Sequence, residues 1–341
     1  MAKLQSNTAI NITKTWFQQP NGFTYPVKVR VPNIASLNGK RIPVAILLHG
    51  LGGNGEAELS SWDSQLPDHI IIAPTGYLNS WNVAHEDSKA PDVGFLQDLC
   101  NKLKTYENVD GSKIRIIGFS NGAALANRSY VALDDSGVDQ IVTIATSFFT
   151  PMYRNNNFYI PVNESSTGVN ASNYSVIKRP FRPRKFISFH GLTDDGFPYT
   201  GGSHQFGYTF LSAQASAFAV AKGQGFTGTQ IPDNVGASDI GGTFKYTYDT
   251  PHGDVLHYKY PEGHVVTASI KTLVQNNFAF VHANQPDAPT DIATVKWKHD
   301  TLNIVDQAGT YPSSTQFTFD GQVITATVSY THLTLPTIMP V

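Results

Sequence analysis

One short stretch carries residue types that can do acyl-transfer chemistry at a fixed spacing: Gly118-Phe119-Ser120-Asn121-Gly122. A serine hydroxyl is a weak nucleophile until a neighbouring base takes its proton, and it must also be lifted clear of the backbone. The β-branched run Ile114-Arg115-Ile116-Ile117 leads into this pentapeptide and Ala123-Ala124-Leu125 leads out of it. That context predicts a strand, a sharp turn and a helix, the arrangement of a nucleophile elbow, with Ser120 as the candidate nucleophile. Gly118 and Gly122 stand where closely packed neighbours would exclude a Cβ. Because the chain holds 28 glycines, the pentapeptide alone could arise by chance. The strand before it and the Ala-rich helix after it carry the reading.

The base and its orienting carboxylate should follow in the order serine, acid, histidine, each after a strand of an α/β-hydrolase sheet. Beyond Ser120 the acids at a strand end are Asp194 and Asp195, after Phe186-Ile187-Ser188-Phe189. Of eleven histidines, His264 follows the last strand and precedes the last helix. His252 and His257 share the preceding hairpin, but His257 falls inside a strand pattern and His252 ahead of it. Two backbone N–H groups should stabilise the oxyanion: that of Asn121, and one from the glycine-rich His49-Gly50-Leu51-Gly52-Gly53, taken as Leu51. The same loop lacks the Lys-Ser/Thr of a phosphate-binding loop and the spacing of a dinucleotide fingerprint.

These residues need rigid elements to hold them. Val44-Ala45-Ile46-Leu47-Leu48 and Ile70-Ile71-Ile72-Ala73 are continuous apolar runs, which suit strands covered on both faces. Ile141 to Ala145 and Phe186 to Phe189 are further strand candidates, as are Phe244 to Tyr248 and Val255 to Tyr260. Ala9 to Ile12 and Tyr25 to Val31 read as edge strands. Helices are expected from Asp92, as N-cap, to about Tyr106, from Leu211 to Lys222, and from about Thr267 to His282. The alternation predicts an α/β fold, mostly parallel and doubly wound. Residues 150–183, Asn-rich and aromatic, read as a loop insertion over the active-site edge.

Composition narrows the partners. The 341 residues are 40% hydrophobic and carry 24 basic against 26 acidic side chains, a net charge of −2 without long runs of either sign. Neither nucleic acid nor an anionic membrane is indicated. No apolar stretch is long enough to span a bilayer, and Met1 to Ser6 lacks the apolar core of an export signal. The single cysteine, Cys100, sits at an apolar position of a helical pattern and is read as packing.

Taken in order, His49-Gly50-Leu51-Gly52-Gly53, Ser80-Trp81-Asn82, Pro91-Asp92-Val93-Gly94-Phe95, the Ser120 pentapeptide and His190-Gly191-Leu192-Thr193-Asp194 resemble the polyhydroxybutyrate depolymerase-like esterases. That group is similar to the feruloyl and acetyl xylan esterases of carbohydrate esterase family one. The resemblance spans roughly Ile42 to Val281. It implies an α/β-hydrolase fold, secretion, and a triad of Ser120, Asp194 and His264, with Asp194 preferred as the acid four residues after the histidine of its His-Gly pair. The expected activity is serine carboxylic ester hydrolysis without metal or organic cofactor, on feruloyl or acetyl esters of plant polysaccharide. A polyester depolymerase is the alternative, and a peptidase or lactonase on the same fold is a second. An inert carbohydrate-binding protein on a hydrolase fold is a reading of another class. Trp81, at the same sheet edge as the elbow, is a candidate stacking surface for substrate. Phe119 is a second candidate substrate contact, and Phe148 and Phe149 face the choice between cleft and core.

The catalytic domain is read as residues 1–284, followed by a linker at 285–293 and a short β-like extension at 294–327. About forty residues cannot bury much core alone. Residues 328–341 are read as non-native, because Val328-Ser329-Tyr330-Thr331-His332-Leu333 can be encoded by a string resembling the end of a transposon-based sequencing adapter.

Overall fold

A computed structural model describes residues 2–33, 40–165, 173–203 and 209–278, together with the strands Ser314–Phe319 and Gln322–Thr327. The chain divides into two units, Met1–Ala288 and Pro289–Val341. In the second, the two strands pair antiparallel from Ser314 opposite Thr327 to Phe319 opposite Gln322. The linker 285–293, the stretch Thr294 to Lys298, the end of the last expected helix at 279–282 and the tail 328–341 lie outside the described residues.

The first unit is built on a nine-stranded sheet. Its strands in chain order are β1 (Val27–Arg30), β2 (Ile42–Leu48), β3 (Ile70–Pro74), β4 (Val109–Phe119), β5 (Val138–Ile144), β6 (Lys185–Gly191), β7 (Ala237–Ser238), β8 (Phe244–Tyr248) and β9 (Val255–Tyr260). Across the sheet they run β7-β8-β9-β6-β5-β4-β2-β3-β1. The six strands from β9 to β3 are mutually parallel, whereas β1, β7 and β8 pair antiparallel at the two edges. The helices are α1 (Gly55–Trp62), α2 (Asp92–Leu103), α3 (Asn121–Ala132), α4 (Ala213–Gly223) and α5 (Ala268–Asn277).

The continuous apolar runs are explained by burial on both faces. Along β2, Val44, Ile46 and Leu48 enter one core cluster while Ala45 and Leu47 enter the other. Cys100 packs in the first cluster, where burial pushes its thiol up to about 12. Phe148 also belongs to that core and sits edge-on to Tyr130 and Phe158, and Phe149 is buried with it. Both are therefore core residues rather than cleft lining.

Several local expectations are corrected. Ala9 to Ile12 form no strand; the first hairpin pairs Thr13–Trp16 with Gln19–Thr24. Asp92 does not cap α2, whose N-cap is Pro91. Its carboxylate turns inward instead, accepting from the Tyr25 hydroxyl at 2.8 Å and the Asn82 N–H at 2.7 Å. Thr267 does cap α5, its hydroxyl accepting from Ile270 N–H at 3.2 Å. Within 150–183 the chain forms an antiparallel three-stranded sheet of Tyr153–Arg154, Asn157–Pro161 and Tyr174–Ile177. This segment is fastened to α2 by Glu164, which accepts from the backbone N–H groups of Val93 and Gly94 and pairs with Arg128. A carboxylate there satisfies N–H groups that have no partner inside the helix.

The sheet explains where chemistry can occur. The chain leaves β2 toward one edge and β4 toward the other, so a crevice opens beyond the carboxyl ends of this adjacent pair. The loops after β2, β4, β6 and β9 begin at that one edge and carry Leu51, Ser120, Asp194 and His264.

Candidate active site

The turn at Ser120 is held by close backbone contacts. Ser120 has φ 54° and ψ −121°, a conformation that L-residues avoid at about 1–3 kcal/mol. The strain is maintained because β2, β4 and α3 are packed to backbone contact: a Cβ at Gly122 would stand 2.1 Å from the Leu48 carbonyl oxygen. The Ser120 N–H donates to Ile144 O on β5 at 2.9 Å. These contacts project the hydroxyl beyond the strand end.

The other two residues meet it there. The Ser120 hydroxyl donates to His264 Nε2 at 2.8 Å, and His264 Nδ1–H donates to Asp194 Oδ2 at 2.9 Å. Residues separated by 144 and 70 positions in the chain thus form one line of hydrogen bonds that fixes the imidazole tautomer. Asp194 is buried, and Phe197 N–H donates to its Oδ1 at 2.8 Å. Burial opposes its ionisation, but the hydrogen bonds from His264 and Phe197 outweigh that and hold the carboxyl below its ordinary value. Asp195, the rival acid, points to solvent. His257 is enclosed between the Ser188 and Tyr199 hydroxyls at 2.9 and 3.0 Å, far from the role of a base, and burial together with His190 lowers it to about 3.

The oxyanion-side residues lie on the loop after β2 and at the start of α3. Asn121 is the first residue of α3, so its N–H has no acceptor within the helix. The loop closes on the nucleophile, since a Cβ at Gly50 would stand 3.4 Å from Ser120 Cβ and 3.3 Å from the Phe119 ring. Around Leu51 the neighbouring amides are engaged, Gly52 N–H with Asn79 O at 2.8 Å and Gly53 N–H with Gly50 O at 3.0 Å. The Leu51 side chain is 63% exposed, and so in large part are Leu192 and Val265, at 53% and 43%, which stand close in sequence to the acid and the histidine.

Phe119 is half-buried, with its ring 5.1 Å from the His264 imidazole. Trp81 is different. It has no exposed surface, so it offers no face for a substrate to stack on, and the expectation that it contacts substrate is corrected. Its indole N–H donates to His49 O at 2.9 Å, and its backbone is bound on both sides by the Asn121 carboxamide.

Sequence reasoning missed three supporting side chains. His49 is pinned in one neutral tautomer, Nδ1–H donating to Gly50 O at 2.7 Å and Nε2 accepting from Gly76 N–H at 3.1 Å, with burial lowering its pKa. His190 donates through Nε2 to Phe197 O at 2.6 Å and so holds the acid loop from behind. Phe197 stacks on His264, the centroids 5.4 Å apart. The two histidines each precede a glycine in quoted motifs, a signal that could have marked them; Phe197 had none. Among the described residues, no group of three His, Cys, Asp or Glu is placed to hold a metal ion, and no helix is long and apolar enough to cross a membrane.

No protein-family model matches the chain, and no curated protein matches it. Solved structures similar in fold include a carboxylesterase of Bacillus cereus, at 13% identity over 74% of this chain and 93% of that one, with a TM-score of 0.46. A thermophilic esterase of Thermogutta terrifontis matches at 12% identity over 79% and 92%, TM-score 0.46. A poly(3-hydroxybutyrate) depolymerase of Bordetella parapertussis matches at 16% identity over 50% and 61%, TM-score 0.36. The doubly wound sheet with a serine elbow at its carboxyl edge is an α/β-hydrolase fold on its own geometry.

Proposed function

We propose that the chain is a serine carboxylic ester hydrolase working through an acyl-enzyme. The observation that carries this reading is the continuous hydrogen-bonded line from Ser120 through His264 to Asp194 at the mouth of the crevice. In it, Ser120 Oγ attacks the ester carbonyl carbon as His264 Nε2 takes the hydroxyl proton. The carbonyl oxygen becomes an oxyanion facing the N–H groups of Asn121 and Leu51. Collapse breaks the carbon–oxygen bond to the alcohol, and His264 returns the proton to the leaving alkoxide. Water, deprotonated by the same imidazole, then releases the acid and restores Ser120. Asp194 remains a carboxylate throughout, keeping Nδ1 protonated and offsetting the charge on the imidazolium.

For the substrate, feruloyl or acetyl esters carried by plant polysaccharide are the first reading, supported by the sequence resemblance. A polyester is the second, supported by the exposed apolar side chains Leu51, Leu192 and Val265 on the loops that carry the site residues, which suit a surface without charge. Release of p-nitrophenol from p-nitrophenyl acetate, absent in Ser120→Ala, is the expected outcome; no turnover by the folded protein overturns the esterase reading in favour of an inert fold. Initial rates on methyl ferulate, acetylated xylan, polyhydroxybutyrate and an aromatic polyester then separate the substrate readings.

A further inference from the structure

The two backbone groups assigned to the oxyanion come from different loops, and nothing in the triad itself sets the distance between them. One buried residue touches both supports, one through its side chain and the other through its backbone. Trp81 donates its indole N–H to His49 O, the carbonyl immediately before Gly50 and Leu51, at 2.9 Å. The same residue's backbone N–H donates to Asn121 Oδ1 at 2.7 Å, and its carbonyl accepts from Asn121 Nδ2 at 3.0 Å. A bidentate lock of this kind fixes the orientation of the Asn121 peptide as well as its position, because both ends of the carboxamide are committed. The imidazole of His49 lies against the indole, 4.8 Å between centroids, and its two ring nitrogens are tied to Gly50 O and Gly76 N–H.

The lock has a further anchor. Asn121 Nδ2 also donates to Glu86 Oε1 at 2.9 Å, and the other oxygen of Glu86 accepts from Val83 and Ala84 N–H at 3.1 and 2.6 Å. Glu86 therefore ties the segment after Trp81 to the same carboxamide that holds Trp81. With its acceptors and donors matched in a partly buried setting, this network resists displacement more than its separate bonds would.

Resting on the esterase reading above, we propose that Trp81 is a positioning residue that sets the spacing of the oxyanion donors Leu51 and Asn121, with Glu86 fixing Asn121 against it. It acts on the transition state and not on substrate binding. Donors aimed at an oxyanion act through fixed geometry, so a small displacement weakens the charged intermediate while leaving the uncharged ester almost unaffected.

The test uses the full chain and two variants. Trp81→Phe keeps an aromatic ring but cannot donate to His49 O, and Glu86→Gln replaces one acceptor oxygen by an amide that cannot accept. The expected result with p-nitrophenyl acetate is a kcat lower by ~10–100-fold in Trp81→Phe and by ~3–10-fold in Glu86→Gln, the KM staying within about 3-fold. Affinity for a trifluoromethyl ketone, whose adduct with Ser120 carries an oxyanion, should fall by the same factor as kcat/KM. Unchanged inhibitor affinity and kcat alongside a lowered Tm would mean that the network is only structural. A raised KM with unchanged kcat would return Trp81 to substrate contact. Should Trp81→Phe fail to fold, Glu86→Gln decides alone. A wild type that turns over no ester would sink the esterase reading and this one with it, whereas an active wild type with unaffected variants would sink this one only.

Discussion

Phe197 lies over the imidazole of His264, its ring inclined 28° with centroids 5.4 Å apart, while its own backbone N–H donates to Asp194 Oδ1 at 2.8 Å. One residue therefore sets both the acid and the base, the first by hydrogen bonding and the second by packing. Removing the ring in Phe197→Ala should leave the Asp194 bond and free the imidazole to rotate. Since misplacement by about 1 Å can cost ~100-fold, kcat on p-nitrophenyl acetate should fall ~10–100-fold with KM little changed. Phe197→Leu should recover part of the rate; steady-state kinetics on the two variants check this.

Ser120→Ala, His264→Ala and Asp194→Asn should each lower kcat/KM by roughly four orders of magnitude, because the three act as a unit. Asp195→Asn, at an exposed position, should stay near wild type. The Asp194 carboxyl is held below its ordinary value, so it is already ionised where an esterase is assayed near neutrality. Protonation of Asp194 should accordingly leave no limb in the rate profile near neutrality. A crippled Asp195→Asn would move the acid to that position.

His257 gives the fold a defined sensitivity to acid. Its pKa is lowered to about 3, first by burial and then by His190, while in the unfolded chain it stands near 6.5. Between those values the unfolded state binds more protons, so this contribution is complete above about pH 6.5 and is lost as the pH falls toward 3. The groups facing the ring are Ser188, Tyr199 and Tyr246, with Asp233 and Lys259 beyond and His190 behind. Asp92, raised to about 7 by burial, works in the opposite sense, its contribution weakening as pH rises from about 4 to 7. His257→Gln should be less stable than wild type at pH 8, by ~1–3 kcal/mol for lost buried hydrogen bonds, with the gap narrowing by pH 5. Denaturant midpoints at the two pH values decide; a constant gap would show that His257 does not titrate as described.

Gly122 and Gly52 should respond differently to alanine. At Gly122 the added methyl would meet the Leu48 carbonyl oxygen at 2.1 Å, so Gly122→Ala must push β2 away from the elbow and should abolish turnover and lower Tm together. At Gly52, φ +77° with open space around it, Gly52→Ala should cost only about 1 kcal/mol of stability. Equal effects at the two sites in thermal unfolding and ester assays would count against the packing described for the elbow.

The features legible in the order of amino acids are those that depend on neighbours along the chain. The Ser120 turn was legible because a strained turn between strand and helix demands glycines at fixed offsets. Buried parallel strands were legible because apolar side chains on both faces leave an unbroken apolar run, as in Val44 to Leu48. Chain order after strands brought forward Asp194 and His264, although the order alone did not separate Asp194 from Asp195. Tertiary structure decided that choice, by turning one carboxylate inward to His264 and the other to water. It also reversed the role of Trp81 and enclosed Asp92, which looked like a helix cap. A tryptophan facing a cleft and one facing the core are the same letters in a sequence, and only the positions of His49 O and the Asn121 carboxamide, 32 and 40 residues away, fix which face is covered. Such contacts join segments whose separation leaves no periodic trace, so their geometry exists only once the sheet has brought them together.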